Sequence, residues 1–167
     1  MAPRHPTSAT LFDSGRMFYG KAPRSIFAVV YVILAASFAG ALLSGAGKKE
    51  PTGLGVLAAV TALLAVFSFG YSRIRVTEDE VILTWLPLYR SRIPLSEIRS
   101  ASAQEIRGLQ YGFGLRLGTF GLALIQDTGP AVRLKARHGY VLSLGTEERR
   151  TELLAALSSA GVATSEA

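Results

Sequence analysis

The chain has 167 residues, 49% of them hydrophobic, a net charge of +6 and no cysteine. Without cysteine there are no disulfide staples, thiolate metal sites or thiol catalysis, so any aqueous part must rest on an ordinary hydrophobic core. The positive charge does not describe a nucleic-acid face: residues 1–24 hold +3, residues 48–50 hold +1 and residues 73–167 hold +2, with no basic stripe interleaved with aromatics.

Residues 1–24 read as a flexible basic segment. Two apolar stretches follow, residues 25–47 and 51–72, separated only by Lys48, Lys49 and Glu50. As helices each reaches about 30 Å, roughly the thickness of bilayer hydrocarbon. The expectation is a transmembrane hairpin with spans at residues 25–47 and 53–72 and a short external connector at 48–52.

Arg16, Lys21 and Arg24 precede the first stretch, and Arg73, Arg75, Arg90 and Arg92 follow the second. The connector offers only Lys48 and Lys49, so the positive-inside bias places both termini in the cytoplasm of a multi-pass inner (plasma) membrane protein. Phe18, Tyr19, Phe67, Phe69 and Tyr71 gather near the same interface. A cleaved signal peptide is the rival explanation, but its apolar core runs to about 7–15 residues and no second span follows it.

Ala36 and Gly40 are four apart, as are Gly55 and Ala59, so each helix is expected to pack through a small-residue face. An intramolecular hairpin is the simpler use of these faces, and a homodimer the other. No Asp, Glu, Lys, Arg or His lies inside either stretch, which argues against a proton relay or ion path built from this chain alone.

From Arg73 the pattern changes to alternation, with Ile74 and Val76 between Arg73, Arg75 and Thr77. Glu78, Asp79 and Glu80 form a polar turn before a β-prone run at residues 81–85. Further strands are expected at residues 89–93, 98–107, 114–117, 121–126, 131–137 and 140–144. Turns at Asp127-Thr128-Gly129-Pro130 and His138-Gly139 separate the later ones. Thr146 then caps an amphipathic helix in which Glu147 and Glu148 face the positive dipole end, Leu153, Leu154 and Leu157 make the apolar stripe, and Gly161 supplies the stop. That stripe is expected to cover the open end of a curved sheet, with residues 73–161 as the domain and 162–167 as a disordered tail.

About seven strands closed by one helix is the order of a pleckstrin-homology-like (PH-like) domain, giving a membrane-anchored α+β protein with a PH-like β-barrel or sandwich. The chain resembles a bacterial family of small membrane proteins with two spans followed by a bacterial PH-like domain. The matching residues are Arg75-Val76-Thr77-Glu78-Asp79, Arg92-Ile93-Pro94-Leu95-Ser96-Glu97-Ile98, Tyr111-Gly112-Phe113-Gly114-Leu115-Arg116-Leu117-Gly118 and Gly129-Pro130-Ala131-Val132, with the final helix. The resemblance implies a binding or scaffolding module rather than an enzyme, in a family whose members mostly lack an assigned activity. In eukaryotic PH domains the first hairpin loop supplies cations to a lipid headgroup. Here that loop is Glu78-Asp79-Glu80, which repels phosphate, so headgroup specificity does not carry over.

The residues of chemically versatile type point the same way. The glycines at 112, 114, 118 and 121 lack a phosphate-loop pattern and suit bulges in a curved sheet. His5 lies in the leader and His138 in a turn, Glu78 to Glu80 are a solvated hairpin tip, and Ser96 and Ser143 have no recognisable base. No enzyme activity, cofactor or metal is expected.

Two surfaces remain. Arg133, Lys135 and Arg137 alternate with Val132, Leu134 and Ala136, forming a basic rail suited to an acidic protein partner or to anionic lipid headgroups. Arg90 and Arg92 beside Trp85, Leu86, Leu88 and Tyr89 make the second. The expected role is a non-enzymatic membrane protein presenting its domain to a protein partner or membrane complex, where tethering raises local concentration. An anionic-lipid or small-ligand sensor, or an accessory subunit of a membrane enzyme or transporter, are the alternatives.

Overall fold

A computed structural model describes residues 9–45, 51–86, 88–107, 112–118 and 121–165. Residues 1–8 with His5, residues 48–50 of the connector, Tyr111, residues 119–120 and residues 166–167 lie outside the described residues. The chain is α+β, with an apolar N-terminal helix, two β-sheets and a C-terminal helix. Among the described residues there are eleven strands where about seven were expected.

The order is β1 (Thr10–Asp13), β2 (Met17–Phe18), α1 (Lys21–Leu43), α2 (Pro51–Ser68), β3 (Tyr71–Thr77), β4 (Glu80–Leu86), β5 (Tyr89–Pro94), β6 (Ser100–Ile106), β7 (Gly114–Gly118), β8 (Gly121–Ile125), β9 (Gly129–Lys135), β10 (Gly139–Ser143), α3 (Glu147–Ser159) and β11 (Ala163–Ser165). Strands β3 to β10 fall where alternation places them. Ile74 and Val76 point inward while Arg73 and Arg75 flank them outward. The β3–β4 turn is closed by Thr77, whose hydroxyl accepts from Glu80 N at 3.1 Å and donates to Glu80 O at 3.1 Å.

The first sheet runs β1-β3-β4-β5, with β2 also paired to β3. The second runs β11-β6-β9-β10-β8-β7. Two of its pairings, β8 with β10 and β6 with β11, are parallel, so the second sheet is not a simple meander. The main core joins Ile74, Val81 and Leu83 of the first sheet, Val132, Leu134 and Leu142 of the second, and Leu153 and Leu157 of α3. A smaller cluster of Ile106, Ala123, Ile125, Ala131 and Val141, with Phe113 against it, uses the alternate positions of the second sheet.

Helix α3 follows its local signals. Thr146 accepts from Arg149 N at 3.4 Å, and Glu147 and Glu148 occupy the first turn. At the other end Gly161 takes φ +84°, Gly161 N donates to Ser158 O at 3.0 Å and Val162 N to Leu157 O at 3.0 Å. Both Val162 and Leu157 are buried, which completes the apolar contact of this C-terminal motif.

Four expectations need correction. Residues 10–18 are not a flexible leader: β1 and β2 pair antiparallel with β3, and Phe12, Met17 and Tyr19 are buried. Residues 163–165 are not a disordered tail but pair with β6. The apolar helices do not run over 25–47 and 53–72. Helix α1 starts at Lys21 because Pro23 suits a first helical turn, and stops at Ser44-Gly45, where Gly45 has φ +68°. Helix α2 begins at Pro51, inside the expected connector, and stops at Ser68, because Tyr71 and Ser72 already belong to β3.

Last, the small-residue faces do not meet. Ala36, Gly40, Gly55 and Ala59 are all exposed, and a side chain added at Gly40 or Gly55 would touch nothing within 4 Å. Partly buried positions include instead Phe27, Tyr31 and Leu34 on α1 and Leu57, Thr61 and Leu64 on α2, with Tyr31 and Ser68 sharing a 3.0 Å hydrogen bond between the helices. The pairing of β2 with β3 fixes the helix roots, and that sets which faces turn inward.

Helix α1 is long and apolar enough to cross a membrane, with none of its most apolar window buried in the protein. Helix α2 is apolar but shorter. At 1.5 Å per residue they measure about 34 and 27 Å.

Candidate functional site

Arg133 and Lys135 stand exposed on β9, while Val132 and Leu134, which alternate with them, are fully buried. Strand β9 lies between β6 and β10, with Arg133 opposite Ser102 and Lys135 opposite both Ser100 and Gly139. Arg99, just before β6, donates its backbone N–H to Lys135 O at 2.7 Å and so enters the same end of the sheet. The strand ends at Lys135, and Arg137 and His138 occupy the exposed turn into β10. Together these residues line an open groove of about 610 Å³ with Gly118, Gly121 and Gly139.

No acidic residue lines the groove among the described residues, and none of Arg99, Arg133, Lys135 or Arg137 forms an ion pair there. Such a field attracts an anionic group and stays uncompensated until one arrives. Gly121 closes the floor at φ +103°, where an added Cβ would lie 2.0 Å from Gly139 O. Only glycine permits that approach.

The groove sits at the end of the second sheet remote from α1. Gly20 N, at the start of α1, donates to Gln126 O at 3.0 Å, next to the C-terminal end of β8, whereas Gly121 opens the other end. A five-residue strand separates the two by about 15 Å, beyond the ~8 Å screening length of physiological salt.

The structure therefore unites Arg133, Lys135 and Arg137 and adds Arg99 and His138. Arg99 was not legible beforehand because its neighbours come from the order of β6, β9 and β10, which local periodicity does not encode. His138 is the exposed turn residue expected of it.

The second surface is split. Trp85 is buried 5.9 Å from the Phe67 ring, and Tyr89 packs half-buried against the main core. Arg90 and Arg92 point outward from the first sheet, Arg92 reaching Glu80 at 3.4 Å. Alternation along β5 separates the aromatic from the cations, so Trp85, Tyr89, Arg90 and Arg92 do not form one surface. Exposed apolar residues gather nearby instead: Phe18, Phe69 and Leu88 flank the roots of the two helices.

On the outer edge of the first sheet, Asp13 accepts from Arg73 Nε at 2.8 Å, from a second nitrogen of Arg73, and from Arg75 Nε at 3.2 Å. The Arg73 hydrogen bond leads in lowering the Asp13 pKa below its usual value, against a smaller opposing effect of burial, and in return raises that of Arg73. Burial pushes up the phenols of Tyr19 and Tyr140. For Tyr19 the Trp85 indole acts in the opposite direction, although the indole N–H reaches no hydrogen-bond partner of ordinary geometry among the described residues.

A group whose folded pKa is depressed stabilises the fold above its unfolded pKa and loses that contribution as pH falls through the folded value. Asp13→Asn should therefore lower stability at pH 7 by about 1 kcal/mol after allowance for solvent screening, and by much less at pH 2–3. Thermal unfolding of both proteins across that pH range checks it. A constant difference would show that the carboxylate charge is irrelevant.

Among the described residues, no group of three His, Asp or Glu side chains is placed to hold a metal ion. No protein-family model matches the chain, and no curated protein matches it.

Proposed function

We propose that the protein is a non-enzymatic membrane anchor of the two-span, PH-like kind, which holds its cationic groove in the cytoplasm for an acidic protein partner. The groove of Arg99, Arg133, Lys135 and Arg137, free of acids among its described lining residues, carries this proposal. Its position about 15 Å along β8 from the root of α1 favours a protein over the bilayer as the occupant. Anchoring makes a modest charge match effective by raising local concentration.

Strand pairing supports the two-span arrangement. Met17 faces Ser72 and Phe18 faces Tyr71, so the chain before α1 and the chain after α2 lie side by side. If α1 crosses, α2 must return, and its 18 residues fall within the usual range of about 17–25 for a span. The cations at Arg16, Lys21, Arg24, Arg73 and Arg75 then favour the cytoplasmic side for the domain.

Crosslinking in native membranes, read by mass spectrometry, tests both parts. Replacing Arg133, Lys135 and Arg137 together by Ser should cut recovery of the main crosslinked protein by roughly tenfold while the chain stays in the carbonate-resistant membrane fraction. Unchanged recovery overturns the groove as the docking surface. Release of the wild-type chain by carbonate overturns the anchor.

A further inference from the structure

A second cationic depression, of about 370 Å³, lies at the root of α1, at the opposite end of β8 and β10 from the groove. Arg16, Lys21, Arg24 and Arg149 line it together with Gln126 and Asp127. Helix α1 begins here at Gly20 with no side-chain cap and no acid in its first turn. Lys21 and Arg24 fall in that turn, so two cations stand at the positive end of the helix dipole, where they repel it. The contrast with α3 is direct, since Thr146, Glu147 and Glu148 satisfy and neutralise its start at the border of the same depression.

Asp127 is the one acid in the lining, with its carboxylate against Gly20 and accepting from Thr128 N at 2.9 Å. It leaves the four cations undercompensated. Independently, Gln126 is only 3% exposed, and among the described residues neither its amide oxygen nor its amide nitrogen has a hydrogen-bond partner. A buried, unpaired amide is costly unless something pairs with it. Its backbone is engaged, the N–H to Ser143 Oγ at 2.8 Å and the carbonyl to Gly20 N, so the side chain is the group left waiting.

We propose that this depression binds a phosphate group. Arg24 and Arg149 supply the charge, the first amides of α1 complete an anion-binding helix terminus, and the Gln126 amide donates one further hydrogen bond. A tetrahedral oxyanion offers acceptors to several separate donors at once, whereas a carboxylate offers two oxygens in one plane. The phosphate comes from a lipid headgroup or from a free ion. Only the lipid source rests on the membrane reading above, because the exposed Phe18, Phe69 and Leu88 lie around the same helix roots.

The test uses the full chain purified in dodecyl maltoside. One arm measures retention of dioleoyl phosphatidylglycerol against dioleoylglycerol by native mass spectrometry, and the other measures binding of radiolabelled inorganic phosphate by equilibrium dialysis. Four proteins are compared: wild type, Arg24→Gln with Arg149→Gln, Gln126→Leu, and Arg133→Ser with Lys135→Ser and Arg137→Ser. Thermal unfolding confirms that each is folded.

Wild type should prefer the phospholipid at least tenfold over the diacylglycerol, or bind inorganic phosphate with one site. The Arg24/Arg149 pair of changes should abolish that binding, Gln126→Leu should weaken it threefold or more, and the triple variant should leave it intact. Phosphate binding without lipid preference assigns a free ion, and lipid preference alone assigns a headgroup. Absence of binding to both probes in wild type overturns the site, as does full binding by the Arg24/Arg149 or Gln126 variants. Equal loss in the triple variant also overturns it, by showing general charge attraction. Carbonate extraction of wild type, run in parallel, tests the membrane reading without touching this result.

Discussion

Gly121→Ala should lower the stability of the domain by about 4 kcal/mol, and its thermal midpoint by roughly 15 °C or more. Two effects add. Gly121 holds φ +103°, which an L side chain rarely adopts, and the new Cβ would lie 2.0 Å from Gly139 O and 2.7 Å from Gly139 N. The obstacle is backbone rather than the flexible tip of a side chain, so it yields only if β8 and β10 separate at their shared end. Gly145→Ala is the control, since Gly145 has φ +76° but nothing within 4 Å of the added Cβ. It should cost only the conformational part, about 1 kcal/mol. Equal midpoints for the two variants would show that the close approach of Gly121 to Gly139 does not matter. Because Gly121 and Gly139 both border the cationic groove, the loss should appear in partner recovery as well as in unfolding.

The second large effect comes from truncation. A fragment of residues 73–167 contains the whole of the domain that alternation suggests, residues 73–161, yet it should not fold. It lacks Phe12, Met17 and Tyr19, which are 6%, 5% and 4% exposed in the full chain. It also lacks Ser14, whose hydroxyl accepts from the buried Ile74 N at 2.9 Å. Burying three large side chains contributes roughly 5–8 kcal/mol, comparable to the whole net stability of an ordinary domain, about 5–15 kcal/mol. A chain that joins residues 9–20 directly to residues 70–165 through a short glycine-serine turn should recover folding, because Phe18 and Tyr71 are already paired neighbours. Amide exchange and near-ultraviolet circular dichroism of the two fragments decide the matter. A cooperatively folded 73–167 fragment would refute the role given to β1 and β2.

That contrast also marks what the sequence makes visible. Strands β3 to β10 are legible because each carries its own alternation and its own turn, such as Thr77 before Glu80. Helix α3 is legible because its cap, acids, leucine stripe and Gly161 sit within sixteen residues of one another. Strands β1 and β2 are not, since Thr10–Asp13 and Met17–Phe18 are too short to show a period and owe their order to a partner 60 residues away. The three residues of β11 are all exposed, so no hydrophobic pattern announces them. Arg133 and Lys135 could be picked out as one strand face, but Arg99 joins them only through the order β6-β9-β10. The small-residue faces at Ala36, Gly40, Gly55 and Ala59 failed for a related reason. Spacing identifies a face, and only the anchored roots decide where it turns.

Sixty residues separate Ser14 from Ile74, the two ends of the strap that β1 lays along β3. At a synthesis rate of about 5–20 residues per second, the strap leaves the ribosome roughly 3–12 s before the strand that receives it. In that interval the two apolar helices α1 and α2 emerge while the early segment waits. Closure of the first sheet therefore waits for β3: until Tyr71–Thr77 is made, β1 and β2 have no strand to pair with and Phe12 and Met17 stay uncovered.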